Sequence, residues 1–75
     1  MATQSTRHYH PLRQYRLAKS LSQAELAARI GVHTITVTRW ELGTRQIDAE
    51  QVAKIARVTG IPPALLRPDL AKVFG

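Results

Sequence analysis

The 75 residues are enough for one small domain with one modest core, and we expect no separate ligand-sensing domain within them. Eleven Lys and Arg against five Asp and Glu give a net charge of +6, which favours a polyanionic partner. The absence of cysteine excludes disulfides and thiolate metal sites, and no apolar run is long enough for a signal peptide or a membrane span. We therefore expect a cytoplasmic protein that does not bind membranes.

The first ten residues are polar and lack hydrophobic periodicity, so the sequence predicts a flexible arm over residues 1–10. His8 and His10 flank one residue and offer two metal ligands. Two histidines on a mobile arm without a third ligand are more often solvated, so we predict no metal site and no cofactor.

Two helices are predicted next. Pro11 suits the first turn of a helix, and the apolar residues that follow it predict a first helix that ends near Lys19. Those apolar residues are Leu12, Tyr15, Leu17 and Leu21. Ser22 is a good N-cap for a second helix, and Glu25, three residues on, completes a capping-box pattern. Gly31 predicts the end of that helix, because glycine adopts a left-handed backbone without steric penalty.

A third helix follows so closely that the pair predicts a helix-turn-helix. The apolar residues at helical spacing are Leu26, Ala27 and Ile30 in the second helix and Val37 and Trp40 in the third. Two helices that cross near their junction leave little room at the contact, and Ala27 supplies a small residue one turn before Gly31. Gly43 closes the third helix. The spacing of Trp40 from Val37 favours a core position over base stacking.

The remaining chain predicts two more helices. Asp48 is the expected N-cap of a fourth helix, which Gly60 ends. Its one-face residues are Val52, Ile55, Ala56 and Thr59. Pro62 and Pro63 open a short fifth helix through about Arg67, where a further proline stops it. Because no strand pattern is found, the prediction is an all-α domain of five helices over residues 11–70, with a C-terminal tail over residues 71–75.

Eight residues occur at the spacing of a known family: Gln23, Ala27, Gly31, Val32, Val37, Trp40, Glu41 and Gly43. Over about residues 12–69 the chain resembles the lambda-repressor-like helix-turn-helix superfamily, the Cro/C1 or xenobiotic-response-element regulators of prokaryotes and phages. Residues 61–70 look in particular like the ending of small Cro-like regulators carried by prophages. The resemblance implies a DNA-binding transcriptional regulator that pairs as a homodimer across a palindrome in double-stranded DNA.

The base-reading residues are expected at the start of the third helix, around residues 33–42. The major groove of B-DNA admits an α-helix, and the first turns of the inserted helix reach the base edges. The predicted base-reading residues are His33, Thr34, Ile35, Thr38 and Arg39. Arg39 can form a bidentate pair with guanine, and Ile35 or a threonine methyl can pack on the methyl group of thymine. For any single threonine, including Thr36, a solvated helix face is an equally good interpretation.

Different residues are expected to contact phosphates. Gln23 stands at the start of the second helix, where free N–H groups and the positive end of the helix dipole favour a phosphate. The resemblance implies the same role for Gln23 and for the loop after Gly43. The predicted phosphate-binding residues are Gln23, Thr44, Arg45 and Arg29. Arg7 and His8 resemble the basic arms that enter a minor groove, although an idle tail is the simpler interpretation.

The resemblance also implies a structural pair. In the family, an arginine at the position of Arg16 commonly pairs with a glutamate at the position of Glu41 and ties the first helix to the third. We do not expect Glu41 to act as a catalytic acid, because no second carboxylate or histidine has a spacing that would place both residues in one active site. We therefore expect no enzyme activity.

Two functions stay open from the sequence. The leading one is a Cro-like repressor that binds specific DNA sequences, and the alternative is an antitoxin-type protein-interaction module that also autoregulates its operon. The C-terminal apolar residues are a candidate dimer surface, a candidate partner surface or the last closure of the core: Leu65, Leu66, Leu70, Val73 and Phe74. Thr34 and Ile35 replace the glutamines with which the best-known family repressors often read adenine, so no known operator can be transferred.

Overall fold

The computed structural model describes residues 10–70. The helices are α1 (Pro11–Ala18), α2 (Gln23–Ile30), α3 (Thr34–Leu42), α4 (Ala49–Thr59) and α5 (Pro63–Leu66), and a 3₁₀ turn follows at Pro68–Leu70. Between residues 10 and 70 there is no strand, and the prediction of an all-α, five-helix domain is confirmed. The predictions for Arg7, His8, Val73 and Phe74 lie outside the described residues.

Local signals set the ends of α2. The hydroxyl of Ser22 accepts a hydrogen bond from the Glu25 backbone N–H at 3.0 Å, and the Glu25 carboxylate accepts one from the Ser22 N–H at 2.8 Å. This reciprocal pair is the capping box that the sequence predicts. Gly31 ends α2 with a φ of +89°, in the left-handed region that other residues rarely adopt.

Two helix starts differ from the expectation. Asp48 occupies the N-cap position of α4, but its side chain does not cap the helix and instead accepts a hydrogen bond from Arg45 at 3.3 Å. His10, which the sequence assigns to the flexible arm, caps α1 by accepting a hydrogen bond from the Leu12 N–H on Nδ1 at 3.1 Å. Burial lowers the pKa of His10, against the opposing effect of the Glu41 charge, and an uncharged Nδ1 is what this cap requires.

The core contains at least one buried residue from each of the five helices and one residue from a loop. Its buried members are Leu12, Leu26, Ala27, Ile30, Val37, Trp40, Ile47, Val52, Ile55 and Leu66. Trp40 is only 1% exposed, so its predicted place in the core is confirmed. Of the apolar residues that predict the first helix, Leu12 is buried and Tyr15 and Leu21 are half-buried, whereas about half of the surface of Leu17 is exposed.

The close crossing of α2 and α3 fixes the direction of α3. Ala27 is buried at this contact, and its carbonyl accepts hydrogen bonds from the N–H groups of Gly31 at 2.7 Å and Val32 at 3.0 Å. With Val37 and Trp40 turned into the core, the opposite face of α3 is left at the protein surface. None of the described helices has the length and apolar content needed to cross a membrane.

Candidate nucleic-acid interface

The outer face of α3 presents most of the predicted base-reading side chains. His33, Thr34, Ile35 and Arg39 are all exposed, while Val37 and Trp40 lie on the buried face. His33 occupies the N-cap position of α3, but its imidazole makes no capping hydrogen bond to that helix. Ile35 is 53% exposed, so the described residues leave about half of this apolar β-branched side chain uncovered.

Thr38 is only half-buried and has a different environment from its neighbours on α3. Its hydroxyl donates to the Gln23 side-chain oxygen at 2.7 Å and lies 3.2 Å from the Thr34 carbonyl oxygen. The structure therefore brings together a predicted base-reading residue and a predicted phosphate-binding residue.

Arg16 and Glu41 join α1 to α3. Arg16 Nε donates to Glu41 Oε2 at 2.9 Å, and Nη2 donates to Oε1 at 3.0 Å. The third guanidinium nitrogen donates to the Leu21 carbonyl at 3.1 Å, so the same side chain also secures the turn before α2. The Glu41 side chain is 3% exposed and that of Arg16 is 13% exposed, which makes this a largely desolvated pair.

Glu41 is ionised in this environment. Its burial alone raises the pKa, but the hydrogen bonds from Arg16 and Gln23 and the nearby charges of Arg16 and Arg13 outweigh burial and lower the pKa below its ordinary value. The same hydrogen bond raises the pKa of Arg16. The pair is consequently charged on both sides.

Gln23 links this pair to the outer part of α3. Its side-chain Nε2 donates to Glu41 Oε1 at 3.0 Å, while its Oε1 accepts from Thr38. One N–H of the amide is left over after these contacts, since an amide nitrogen carries two hydrogens. That N–H lies at the first residue of α2, where phosphate binding is expected.

The loop after α3 is attached firmly to the end of that helix. The Arg39 carbonyl accepts from the backbone N–H groups of Thr44 at 3.1 Å and Arg45 at 3.3 Å, and from the Thr44 hydroxyl at 3.3 Å. Gly43 makes this turn with a φ of +78°. Thr44 and Arg45 are exposed, and these hydrogen bonds hold their backbone against the C-terminal end of α3.

The side chains of the two arginines that are predicted to contact phosphates have different surroundings. Arg45 forms an exposed ion pair with Asp48, whose nitrogen to oxygen distance is 3.3 Å, and such pairs contribute little to stability and open readily. Arg29 is exposed in the last turn of α2, and the structure does not bring it into contact with the other predicted site residues.

The family model described as Helix-turn-helix matches residues 12–66. The chain belongs to the Cro/C1-type helix-turn-helix family. This family consists of DNA-binding transcriptional regulators and is not enzymatic, and residues 12–66 of the chain form its helix-turn-helix domain.

Two curated relatives are similar to this helix-turn-helix chain. It is 38% identical over 58 residues to the transcriptional repressor RstR of the cryptic phage CTXphi from Vibrio cholerae, and 36% identical over 53 residues to the control protein C.BamHI from Bacillus amyloliquefaciens. The matches cover 77% and 69% of this chain, but 52% and 65% of the two relatives. The chain thus matches between half and two thirds of each relative's length. No solved structure shows a significant match.

The contact between Arg67 and the loop before α4 was not predicted from the sequence. Arg67 Nη1 donates to the Ile47 carbonyl at 2.7 Å, and the Asp69 carboxylate holds the same guanidinium at 2.7 and 2.9 Å. This contact fastens the loop between α3 and α4 to the end of α5. The partners are 20 residues apart, and no local pattern in the sequence signals such a pair. Among residues 10–70 no three His, Cys, Asp or Glu side chains are grouped as metal ligands.

Proposed function

We propose that this chain is a sequence-specific repressor that binds double-stranded DNA with α3 in the major groove and acts as a homodimer in the cytoplasm. The observation that carries the proposal is the outer face of α3, where polar, basic and apolar side chains are exposed on a helix held by a buried ion pair. This face has the composition that base edges require, since Arg39 can bond guanine and Ile35 can contact a thymine methyl. The base-reading set in this proposal is His33, Thr34, Ile35, Thr38 and Arg39.

The phosphate contacts in this proposal flank the base-reading face. Gln23 offers its remaining amide N–H beside the N terminus of α2, and Thr44 and Arg45 extend from the loop that Arg39 holds. Arg29 adds a positive charge at the exposed end of α2. Phosphates bound at both ends of α3 would fix its orientation in the groove, and the net charge of +6 favours the encounter.

The homodimer in this proposal is supported by Leu65. Its side chain is 56% exposed on α5, whereas its neighbour Leu66 is buried and closes the core. Leu66 is therefore removed from the candidate interface residues, and Leu70 is half-buried. One module of this size covers few base pairs, and two copies on a two-fold site gain both affinity and selectivity. The two relatives, one named a repressor and the other a control protein, support a regulatory role.

A selection from random duplex DNA followed by sequencing tests this proposal. We expect enriched duplexes that share a two-fold symmetric motif, with half-sites about one helical turn apart. Mass measurement in solution, with and without the enriched duplex, should give two chains per site. Recovery of unenriched DNA would overturn sequence-specific binding. A chain that pairs only with a different protein would favour the antitoxin-type alternative.

A further inference from the structure

Hydrogen bonds converge on Glu41 of α3 from two sides, directly from α1 and, through α2, from the outer part of α3. Arg16 donates to Glu41, Gln23 donates to Glu41, and Thr38 donates to Gln23. The distances are 2.9 and 3.0 Å at the ion pair, 3.0 Å at the amide and 2.7 Å at the hydroxyl. Each of these hydrogen bonds limits the orientation of the next side chain.

The carboxylate fixes which way the Gln23 amide points. An ionised carboxylate only accepts hydrogen bonds, so the amide nitrogen and not the amide oxygen must face Glu41. The amide oxygen is then turned toward Thr38. A glutamine on an unconstrained surface could rotate by half a turn and exchange these two atoms, but here that exchange would set an oxygen against a buried negative charge.

The hydrogen of the Thr38 hydroxyl is therefore already donated within the protein and is not available to a DNA base. A threonine hydroxyl has one hydrogen and two lone pairs. Both polar atoms near it, the Gln23 amide oxygen at 2.7 Å and the Thr34 carbonyl oxygen at 3.2 Å, only accept. Turning the proton to a base would leave the Gln23 oxygen unpaired, at a cost comparable to the new bond.

We propose that Thr38 reads a base as a hydrogen-bond acceptor only, and so selects adenine or cytosine over guanine or thymine on the strand it faces. Adenine N6 and cytosine N4 present amino donors in the major groove, whereas guanine O6 and thymine O4 at the corresponding positions are acceptors. Gln23 and Glu41 act as positioning residues for this preference. The inference rests on the proposed function, because it needs α3 in the major groove.

The test measures binding to a panel of duplexes in which each base pair of the selected site is varied in turn. Thr38→Val keeps the shape and the methyl group of threonine and replaces the hydroxyl with a second methyl. The base pair that Thr38 reads is the pair at which this variant changes the base preference. At that pair the parent should prefer adenine and cytosine about three- to tenfold, the value of one hydrogen bond. Thr38→Ser should keep the preference, and Thr36→Val, the same change elsewhere on α3, should leave it unaltered.

Gln23→Met adds a readout that a purely structural role would not alter. Without the amide oxygen, the closer acceptor at 2.7 Å is gone and the Thr38 proton keeps only the 3.2 Å contact with the Thr34 carbonyl oxygen, so the hydroxyl can turn its proton to a base at a lower cost. We expect this variant to bind all duplexes more weakly, because a phosphate contact is lost, and to accept guanine or thymine at the pair that Thr38 reads.

The outcomes separate this inference from the proposed function. A parent that prefers guanine or thymine at that pair, or a Thr38→Val profile identical to that of the parent, would overturn the acceptor-only inference while leaving specific binding intact. An unchanged preference in Gln23→Met would overturn the positioning role of Gln23. A parent with no sequence preference at any pair would overturn the proposed function itself.

Discussion

Arg16 holds Glu41 through two guanidinium nitrogens, at 2.9 and 3.0 Å, and thereby fastens the first helix to the third. Both side chains are largely buried, so each charge depends on the other for stabilisation that water no longer supplies. The pair lies directly beneath the proposed base-reading face, since Glu41 also accepts from Gln23. Its loss should therefore affect both folding and DNA recognition.

The first prediction concerns folding. Glu41→Ala leaves the Arg16 guanidinium desolvated without its partner and should reduce the free energy of unfolding by about 3–5 kcal/mol, a large part of the stability of a small domain. Urea unfolding near neutral pH measures the change. Glu50→Ala is the matched control, because Glu50 is exposed on α4 and its removal should cost little. A Glu41 variant as stable as the Glu50 control would show that the pair contributes nothing.

The second prediction is a pH dependence that belongs to Glu41. Because its pKa is lowered by folding, the folded state binds fewer protons at this group than the unfolded state does, and stability falls as pH falls. The contribution is complete above the ordinary value of 4.5 and is lost progressively as the pH drops through the lowered native value. Urea unfolding of the parent and of Glu41→Gln between pH 7 and acidic pH should show the difference between them shrinking on acidification. A constant difference would contradict the assignment.

The ends of the helices were predictable because their signals are local. Ser22 and Glu25 are three residues apart, and Gly31, Gly43 and Gly60 each mark a turn by their own backbone freedom. The cap at His10 was not predicted, because a neutral imidazole is an unusual capping acceptor and the preceding residues gave no periodic pattern.

The connections between distant residues could not be derived from spacing. The bond from Thr38 to Gln23 spans 15 residues, and it exists only because α2 and α3 cross closely. Ile47 is fully part of the core but lies in a loop, where hydrophobic periodicity has no helix to follow. The pairing of Arg16 with Glu41, separated by 25 residues, was implied by the family resemblance and not by any local pattern.

The third prediction assigns a base contact to Arg39. Arg39→Ala should lose about 1–3 kcal/mol of discrimination at one base pair, normally guanine, while non-specific binding stays nearly intact. The measurement compares affinities for duplexes that differ at single pairs. Equal weakening on every sequence would instead make Arg39 a phosphate contact.

The fourth prediction assigns a phosphate contact to Arg45. Arg45→Ala should weaken binding to all duplexes by a similar factor and reduce the slope of log affinity against log salt by about 0.9 for each phosphate lost, which is about 1.8 for a dimer that carries two copies of Arg45. The exposed pair with Asp48 is too weak to compete with a phosphate. Arg57→Ala, an exposed arginine on α4, serves as the control and should leave the slope unchanged. A slope that falls equally in both variants would indicate a general charge effect without a specific contact.

The last prediction is that two copies of the chain pair through the surface around Leu65. A glutamate at this exposed position should disrupt an apolar interface while leaving the core intact, because Leu66 and not Leu65 fills the core. Leu65→Glu should therefore keep the parent's thermal stability at high dilution, sediment as a monomer, and bind a two-fold duplex much more weakly than the parent.

Leu17→Glu is the matched control: Leu17 on α1 is similarly exposed, and the substitution changes the net charge by the same amount. Both variants would lose the same electrostatic attraction to DNA, so only the loss of pairing distinguishes them. If Leu65→Glu binds two chains per site as tightly as Leu17→Glu does, the dimer surface lies elsewhere. If the parent itself binds as one chain per site, the homodimer is wrong.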